Sequence, residues 1–304
     1  MDHLFQLEEK RIAIYKVYLI KQRIGILFII MAVICAFVSL VGQMPILFVP
    51  AIGLAIVSFV FFAKAAREFS SFRQLIKREL IKDLVEESLD QVSYNPDGFI
   101  SSDTIQQTGM VTRPDRYHGE DLIKGIYHQV HYQVSDVDLE ERVSTTDSKG
   151  NTHVSYETYF KGRWYIFKFQ REFNEVLKIS EGRGYQVNHK DLIKIETESI
   201  EFNQKFSIWA SSETYGFYHI TPVMIEKLLQ LEKLHKGSIL YYFAKNELHV
   251  GVNDKRDYME ISLNKPLNED TIKTLMFDID LIPAIILELK LDSSKFMDNT
   301  LGGK

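Results

Sequence analysis

Forty consecutive residues, Ile24 to Ala63, contain no Asp, Glu, Lys, Arg or His, and no other feature limits the fold as strongly. A helix needs about 20 apolar residues to cross a hydrocarbon core of about 30 Å. Ile24 to Gly42 supplies nineteen uncharged residues and Ile46 to Ala63 eighteen more, with Gln43-Met44-Pro45 between them as turn chemistry. One unbroken helix of that length would run about 60 Å, twice the need, so the economical reading is a hairpin of two spans. A cleaved signal peptide fits poorly. Its apolar region covers about 7–15 residues and ends at a small-residue site, whereas this block is far longer, begins after residue 23 and holds a second pass.

The flanks predict orientation. Lys10, Arg11, Lys16, Lys21 and Arg23 precede the block; Lys64, Arg67, Arg73, Lys77, Arg78 and Lys82 follow it; the turn between the spans has no cation. The positive-inside bias then puts both termini in the cytoplasm, as a multi-pass protein of the cell membrane. Lys21, Arg23, Lys64 and Arg67 lie nearest the spans and are the candidate membrane-surface residues. A cation there gains about 1 kcal/mol against anionic headgroups; topology and solubility explain the same residues equally well. Polar residues in the spans are limited to Ser39 and Ser58, with Gln43 and Pro45 at the turn and Pro50 inside. Ion paths need ionisable or clustered polar groups at that depth. The hairpin therefore reads as an anchor whose helices meet through Ala32, Ala36, Ala51 and Ala55.

Beyond the block, residues 64–92 read as one amphipathic juxtamembrane helix, with Phe69, Phe72, Ile76, Leu80 and Leu84 at helical spacing. Residues 1–23 also read as helical and are expected to run antiparallel beside 64–92 as a stalk. A turn cluster, Ser93 to Gly98, marks the boundary to a domain spanning 93–304. The lone cysteine, Cys35, lies in the apolar block, so no intrachain disulfide exists, consistent with a reducing compartment.

Within 93–304 the expected elements are a helix over Ser102 to Gly109 and a strand over Ile126 to Val137. A tight hairpin is expected at Lys161-Gly162-Arg163 between Tyr156–Phe160 and Trp164–Phe169, and further strands at 175–179, 192–197 and 206–210. Ser144 to His153 is a polar hairpin tip. A helix capped by Thr221 runs from Val223 to His235 and stops at Gly237. A second hairpin turns at Lys245-Asn246-Glu247, and a last helix begins after Asn268 and continues through Pro283. Strands with helices interspersed irregularly, and no repeating β-α unit, predict an α+β fold with mostly antiparallel sheet.

The same domain holds 25 Lys and Arg against 32 Asp and Glu, a sign that repels a phosphate backbone and argues against nucleic acid. His128-x-x-His131 is the nearest approach to a metal-ligand pair, but on a strand an odd separation sends the two rings to opposite faces. The histidines read as solvated or locally bonded. Asp136, Asp138 and Glu140 would share one strand face, read as a solvated acidic face. Gly182-Arg183-Gly184 lacks the rest of a dinucleotide fingerprint, and no HExxH, GKS, GKT or GxSxG motif occurs. No catalytic residue, metal ligand or cofactor is assigned.

YHGEDLIKG (Tyr117 to Gly125), FKGRWYIFKFQREF (Phe160 to Phe173), ETESIEFNQKFSIW (Glu196 to Trp209) and HITPVMIEKLLQL (His219 to Leu231) resemble the signature blocks of a bacterial family of unknown function. Its members carry paired N-terminal membrane helices and one cytoplasmic domain. The similarity spans most of residues 64–265 in order, and Trp164-Tyr165 stands where the family pattern has a single aromatic. The resemblance implies architecture and no reaction. The blocks also have folding roles: Phe202 and Phe206 as core plugs, Thr221-Pro222 as a helix start, Gly162 as a turn.

The expected function is a non-enzymatic, membrane-anchored interaction or scaffold module. Its partners would be the lipid bilayer and another protein, and a homo-oligomer is compatible. An enzyme with an unfamiliar site acting near the membrane is the alternative, followed by an accessory subunit of a transporter or envelope complex. A deep pocket with converging titratable groups would favour the enzyme; an apolar groove would favour binding.

Overall fold

The uncharged block folds as two long helices in the computed structural model of the chain, α1 (Asp2–Val41) and α2 (Phe48–Leu75). Gly42 to Met44 and a 3₁₀ turn over Pro45–Leu47 join them, with Gln43 at φ 49°. The described residues are 2–182, 187–234 and 237–297. They fall into two compact units, Met1–Asp83 with Glu260–Thr274, and Leu84–Met259 with Leu275–Lys304.

In the helical unit small residues set the seam between α1 and α2. Gly25, Ala32 and Ser39 recur every seven residues on one helix, and Ala51, Ser58, Ala65 and Phe72 on the other, all buried. A seven-residue repeat keeps one stripe facing its partner helix. Small side chains let the backbones approach, and Ser58 Oγ donates to the Gly25 carbonyl at 2.7 Å. Of the four alanines expected at the seam, Ala32 and Ala51 are fully buried and Ala36 and Ala55 partly so. Large apolar side chains point outward, with Ile46 77% and Phe59 73% exposed. Both helices are long and apolar enough to cross a membrane.

The start of α1 and the region after Lys64 pack side by side and antiparallel. Lys21 pairs with Glu68 at 2.5 Å and Lys10 with Glu79 at 3.2 Å. With Cys35→Ala as background, a Lys21→Cys/Glu68→Cys protein should be joined near-completely by a short bismaleimide, read as a gel shift after cleavage between the helices. Past Leu75 the helix loosens into a π turn over Ile76–Ile81 before α3 (Lys82–Ser88). There the buried Lys77 meets Glu260 at 3.0 Å, and Arg73 reaches the same carboxylate at 2.5 Å.

Residues 260–274 belong to this unit, although the sequence groups them with the sheet. They act as a strap: Arg11 donates to the Leu263 carbonyl at 2.7 Å, Glu8 accepts from the Leu267 amide at 2.9 Å, and Leu263 and Leu267 are buried. Glu8 and Arg11 also pair with each other one turn apart, at 2.7 Å.

The second unit is a seven-stranded antiparallel sheet with helices interspersed, the expected α+β fold. Its strands are β1 (Ser93–Asn95), β2 (Arg116–Tyr127), β3 (Val130–Thr146), β4 (Thr152–Glu181), β5 (Ile193–Ile195), β6 (Phe206–Ala210) and β7 (Ser238–Asn253). The order is β1-β2-β3-β4-β6-β5, and β7 lies along the other side of β4. The helices are α4 (Ser102–Gln107), α5 (Ile200–Lys205), α6 (Glu213–His219), α7 (Pro222–Leu234), α8 (Glu269–Glu288) and α9 (Ser294–Met297), α8 starting within the first unit. Serine caps at Ser101, Ser199 and Ser212 and Asn268 before α8 satisfy first-turn amides.

Two expected turns and one expected strand are corrected. Lys161-Gly162-Arg163 is not a hairpin; β4 runs straight through it for 30 residues. Gly162 has φ 150°, where a Cβ would meet the Val252 carbonyl of β7, so this glycine serves close strand pairing. Lys245-Asn246-Glu247 is likewise no turn but an irregular stretch within β7, with Lys245 at φ 53°. Conversely, Ile126 to Val137 is two strands, because His128 and Gln129 adopt positive φ and form a two-residue turn. The polar tip at 144–153 does turn, between β3 and β4, and Phe202 and Phe206 are buried with stacked rings 4.7 Å apart. Gly182-Arg183-Gly184 falls mostly, and His235 entirely, outside the described residues.

Candidate functional site

Over Gly162 to Phe167 the central strand β4 is buried on both faces. Alternate side chains point to opposite sides. Phe160, Trp164 and Ile166 join Ile105, Met110 and Leu139 in one core. Arg163 and Tyr165 take the other face.

On that other face lies a cavity of about 420 Å³, within the usual size range of ligand sites. Its sheet wall is Tyr165 of β4 with Tyr241, Val250 and Val252 of β7; its helix wall is Phe277, Leu281, Ala284 and Ile285 of α8. Asp254, Arg256, Tyr258 and Glu288 bring polar groups to an otherwise apolar lining.

A buried ionic cluster adjoins these residues. Arg163 is 0% exposed and lies directly across from Asp136 on β3. Its Nε donates to Asp136 Oδ1 at 2.9 Å, and Nη1 donates to the Asp278 carbonyl on α8 at 2.9 Å. The second Asp136 oxygen accepts the Tyr258 amide at 2.8 Å. Both guanidinium carbons, of Arg163 and Arg256, approach the Tyr258 ring, at 4.2 and 4.4 Å. Arg256 also holds the buried Asp278 carboxylate at 3.0 Å, and the Tyr258 hydroxyl donates to Asp254 at 2.6 Å.

Burial pushes the Asp136 carboxyl up to about 6, against the opposing pull of Arg163 and the Tyr258 amide. Burial disfavours the Arg163 charge most strongly of any single effect, but Asp136, Tyr165 and Asp278 together keep the guanidinium above its ordinary range. The two side chains meet as an ion pair, Arg163 Nε to Asp136 Oδ1 at 2.9 Å. Burial raises Tyr165 to about 12, despite the Arg163 charge, so its phenol stays protonated. Each carboxylate of the ionic cluster is tied to a guanidinium, an amide or a phenol, and the lining Glu288 is engaged by Lys227. The arrangement can hold a ligand and orient it.

The expected solvated acidic face is corrected by this cluster. Asp136 is 4% exposed and paired; Asp138 is half-buried; a bulge after Leu139 shifts the register before Glu140. His128 and His131 do not converge: His128 bonds Asp292 at 2.8 Å from its turn and His131 is exposed on β3. His249 is buried but locally bonded, accepting from Trp164 Nε1 at 3.3 Å and meeting Glu247 at 3.3 Å. His219 departs from the expectation, being buried with Nε2 unpartnered among the described residues. The four membrane-surface candidates are not gathered into one site. Lys21 is engaged by Glu68, Lys64 sits 5.7 Å from the Phe61 ring, and Arg23 and Arg67 are exposed.

Sequence reasoning missed Arg163, Arg256, Tyr258 and Asp278. Two signals point to them in retrospect. Arg163 shares strand parity with Tyr165 and Phe167 inside an apolar run, and Asp278 interrupts the buried stripe Leu275, Ile279, Ile282, Ile286.

Residues 158–291 match the family model described as "Protein of unknown function (DUF3137)". That segment contains every residue lining the cavity and three of the four resemblance blocks; YHGEDLIKG lies before it. Among solved structures, the chain is similar to the mycobacterial trehalose monomycolate transport factor A, TtfA, at 8% identity and a TM-score of 0.38, over 71% of this chain and 97% of that one. No curated protein matches.

Proposed function

We propose that the chain is a non-enzymatic module anchored in the cell membrane by α1 and α2, whose sheet unit binds an amphipathic small molecule in the cavity beneath α8. The observation that carries this reading is the lining: aromatic and aliphatic walls from β4, β7 and α8 with few polar groups. An apolar chain leaving water for such walls gains roughly 25 cal/mol per Å² buried. The neighbouring Arg256, Asp254 and Tyr258 offer donors and acceptors to a polar end. Anchoring is supported by the outward-facing apolar belt of α1 and α2, and the flanking cations favour cytoplasmic termini. Locked carboxylates favour binding over catalysis.

The test is photolabelling of full-length protein in vesicles with a diazirine fatty acid. Peptide mapping should place label on β7 and α8. Ala284→Trp fills the cavity and should reduce that labelling at least about fivefold, while labelling of α1 and α2 stays unchanged. Label confined to α1 and α2 in the parent protein would rule out the cavity as a ligand site.

A further inference from the structure

A second cavity, of about 280 Å³, opens where α7 begins and α8 ends. Its lining is unlike the first. Lys227, Lys290 and Lys295 face it together with Thr221 and Ser293, and Glu288 is the one acid among its described lining residues. Glu288 is already engaged by Lys227. The first turn of the 13-residue α7 also faces it, through Val223 and Met224. A helix start concentrates positive partial charge on its amides.

Two further features lack an anionic partner. His219, at the end of α6, is 3% exposed, lines this cavity and has its Nε2 unpartnered among the described residues. A buried ring nitrogen without a hydrogen bond costs roughly 1–3 kcal/mol. Nearby, Lys295 donates to the Tyr218 carbonyl at 2.9 Å, and Arg171 donates to the Tyr218 phenol at 2.9 Å and the Lys295 carbonyl at 3.2 Å. Neither cation has a carboxylate partner among the described residues. Burial, with Arg171 beside it, lowers Lys295 to about 8, the mark of a cation short of negative charge.

We infer that this cavity is an anion site for a phosphate-type group, held by Lys295 and Lys290, the Thr221 hydroxyl, the positive end of α7 at Val223 and the His219 ring. Tetrahedral oxyanions present several acceptors, which suits scattered ammonium, hydroxyl and amide donors. The chemistry is shared by a lipid headgroup and a free phosphate.

The test uses full-length protein reconstituted in phosphatidylcholine vesicles and titrated with inorganic phosphate by calorimetry. Saturable binding is expected. Lys295→Gln should weaken it about tenfold, and Lys290→Gln, at an exposed residue that carries little folding risk, about threefold. Absence of saturable binding, or both variants binding like the parent protein, overturns the inference. A parallel preparation with one-fifth phosphatidate separates the sources. A raised apparent Kd for phosphate there assigns the site to a lipid headgroup, and an unchanged Kd assigns it to a soluble phosphate. Failure of the fatty-acid labelling of the first cavity would leave this outcome untouched.

Discussion

Arg163→Met is expected to destabilise the sheet unit by about 3–5 kcal/mol, because it leaves the buried Asp136 carboxylate without its counter-charge. The Tyr258 amide would remain as the main donor to that carboxylate, and the Asp278 carbonyl would lose a donor. The partner change, Asp136→Leu in the Arg163→Met background, removes the stranded charge. It should recover more than half of the loss, since a buried ion pair replaced by packed apolar groups is often close to neutral. Urea titration of full-length protein in detergent, followed by tryptophan fluorescence, is a direct readout. Both tryptophans, Trp164 and Trp209, belong to the sheet unit, so unfolding of the helical hairpin does not enter the signal. A single variant costing under about 1 kcal/mol would show that the cluster is not buried as described.

The second large effect is on pH. The His219 ring packs among Phe173, Tyr215, Tyr218, Phe243 and Phe296, with centroids 4.7–5.9 Å away. Burial, then the charges of Lys295 and Arg171, push it down to about 2 from an ordinary 6.5. A depressed folded-state pKa means the stability is fully present above 6.5 and lost as pH falls toward 2, since the unfolded chain takes up a proton that the folded one refuses. At about 1.4 kcal/mol per pH unit, moving from pH 7 to pH 5 should cost about 2 kcal/mol. Asp136 acts in the opposite sense over part of that range, because its raised pKa adds stability as pH falls through about 6. The diagnostic is therefore a difference. In His219→Leu the fall between pH 7 and pH 5 should shrink by about 2 kcal/mol, whatever the variant's starting stability. An unchanged pH slope would show that His219 titrates normally in the folded protein.

Local signals were legible wherever a single element decided the outcome. Thr221 caps α7 with its hydroxyl at 3.3 Å from the Met224 amide, α8 starts after Asn268, and the polar tip between β3 and β4 turns where Asp147 to Asn151 supply turn donors and acceptors. Errors came where a neighbouring strand overrode local propensity. Lys161-Gly162-Arg163 has turn composition, yet β3 and β7 pair on both sides of it and hold it extended. Asp136 looked like one of three solvated acids because nothing local reveals that an arginine 27 residues later will face it.

By itself the sequence determined the helical hairpin and the α+β class. Those follow from hydrophobic periodicity and charge placement, which act over a few turns or a few strand residues. Tertiary structure alone decided the buried Asp136–Arg163 pair, the strap over 260–274 and the two cavities. Each of these joins residues far apart in the chain, and its energy exists only once desolvation and close packing have brought them together.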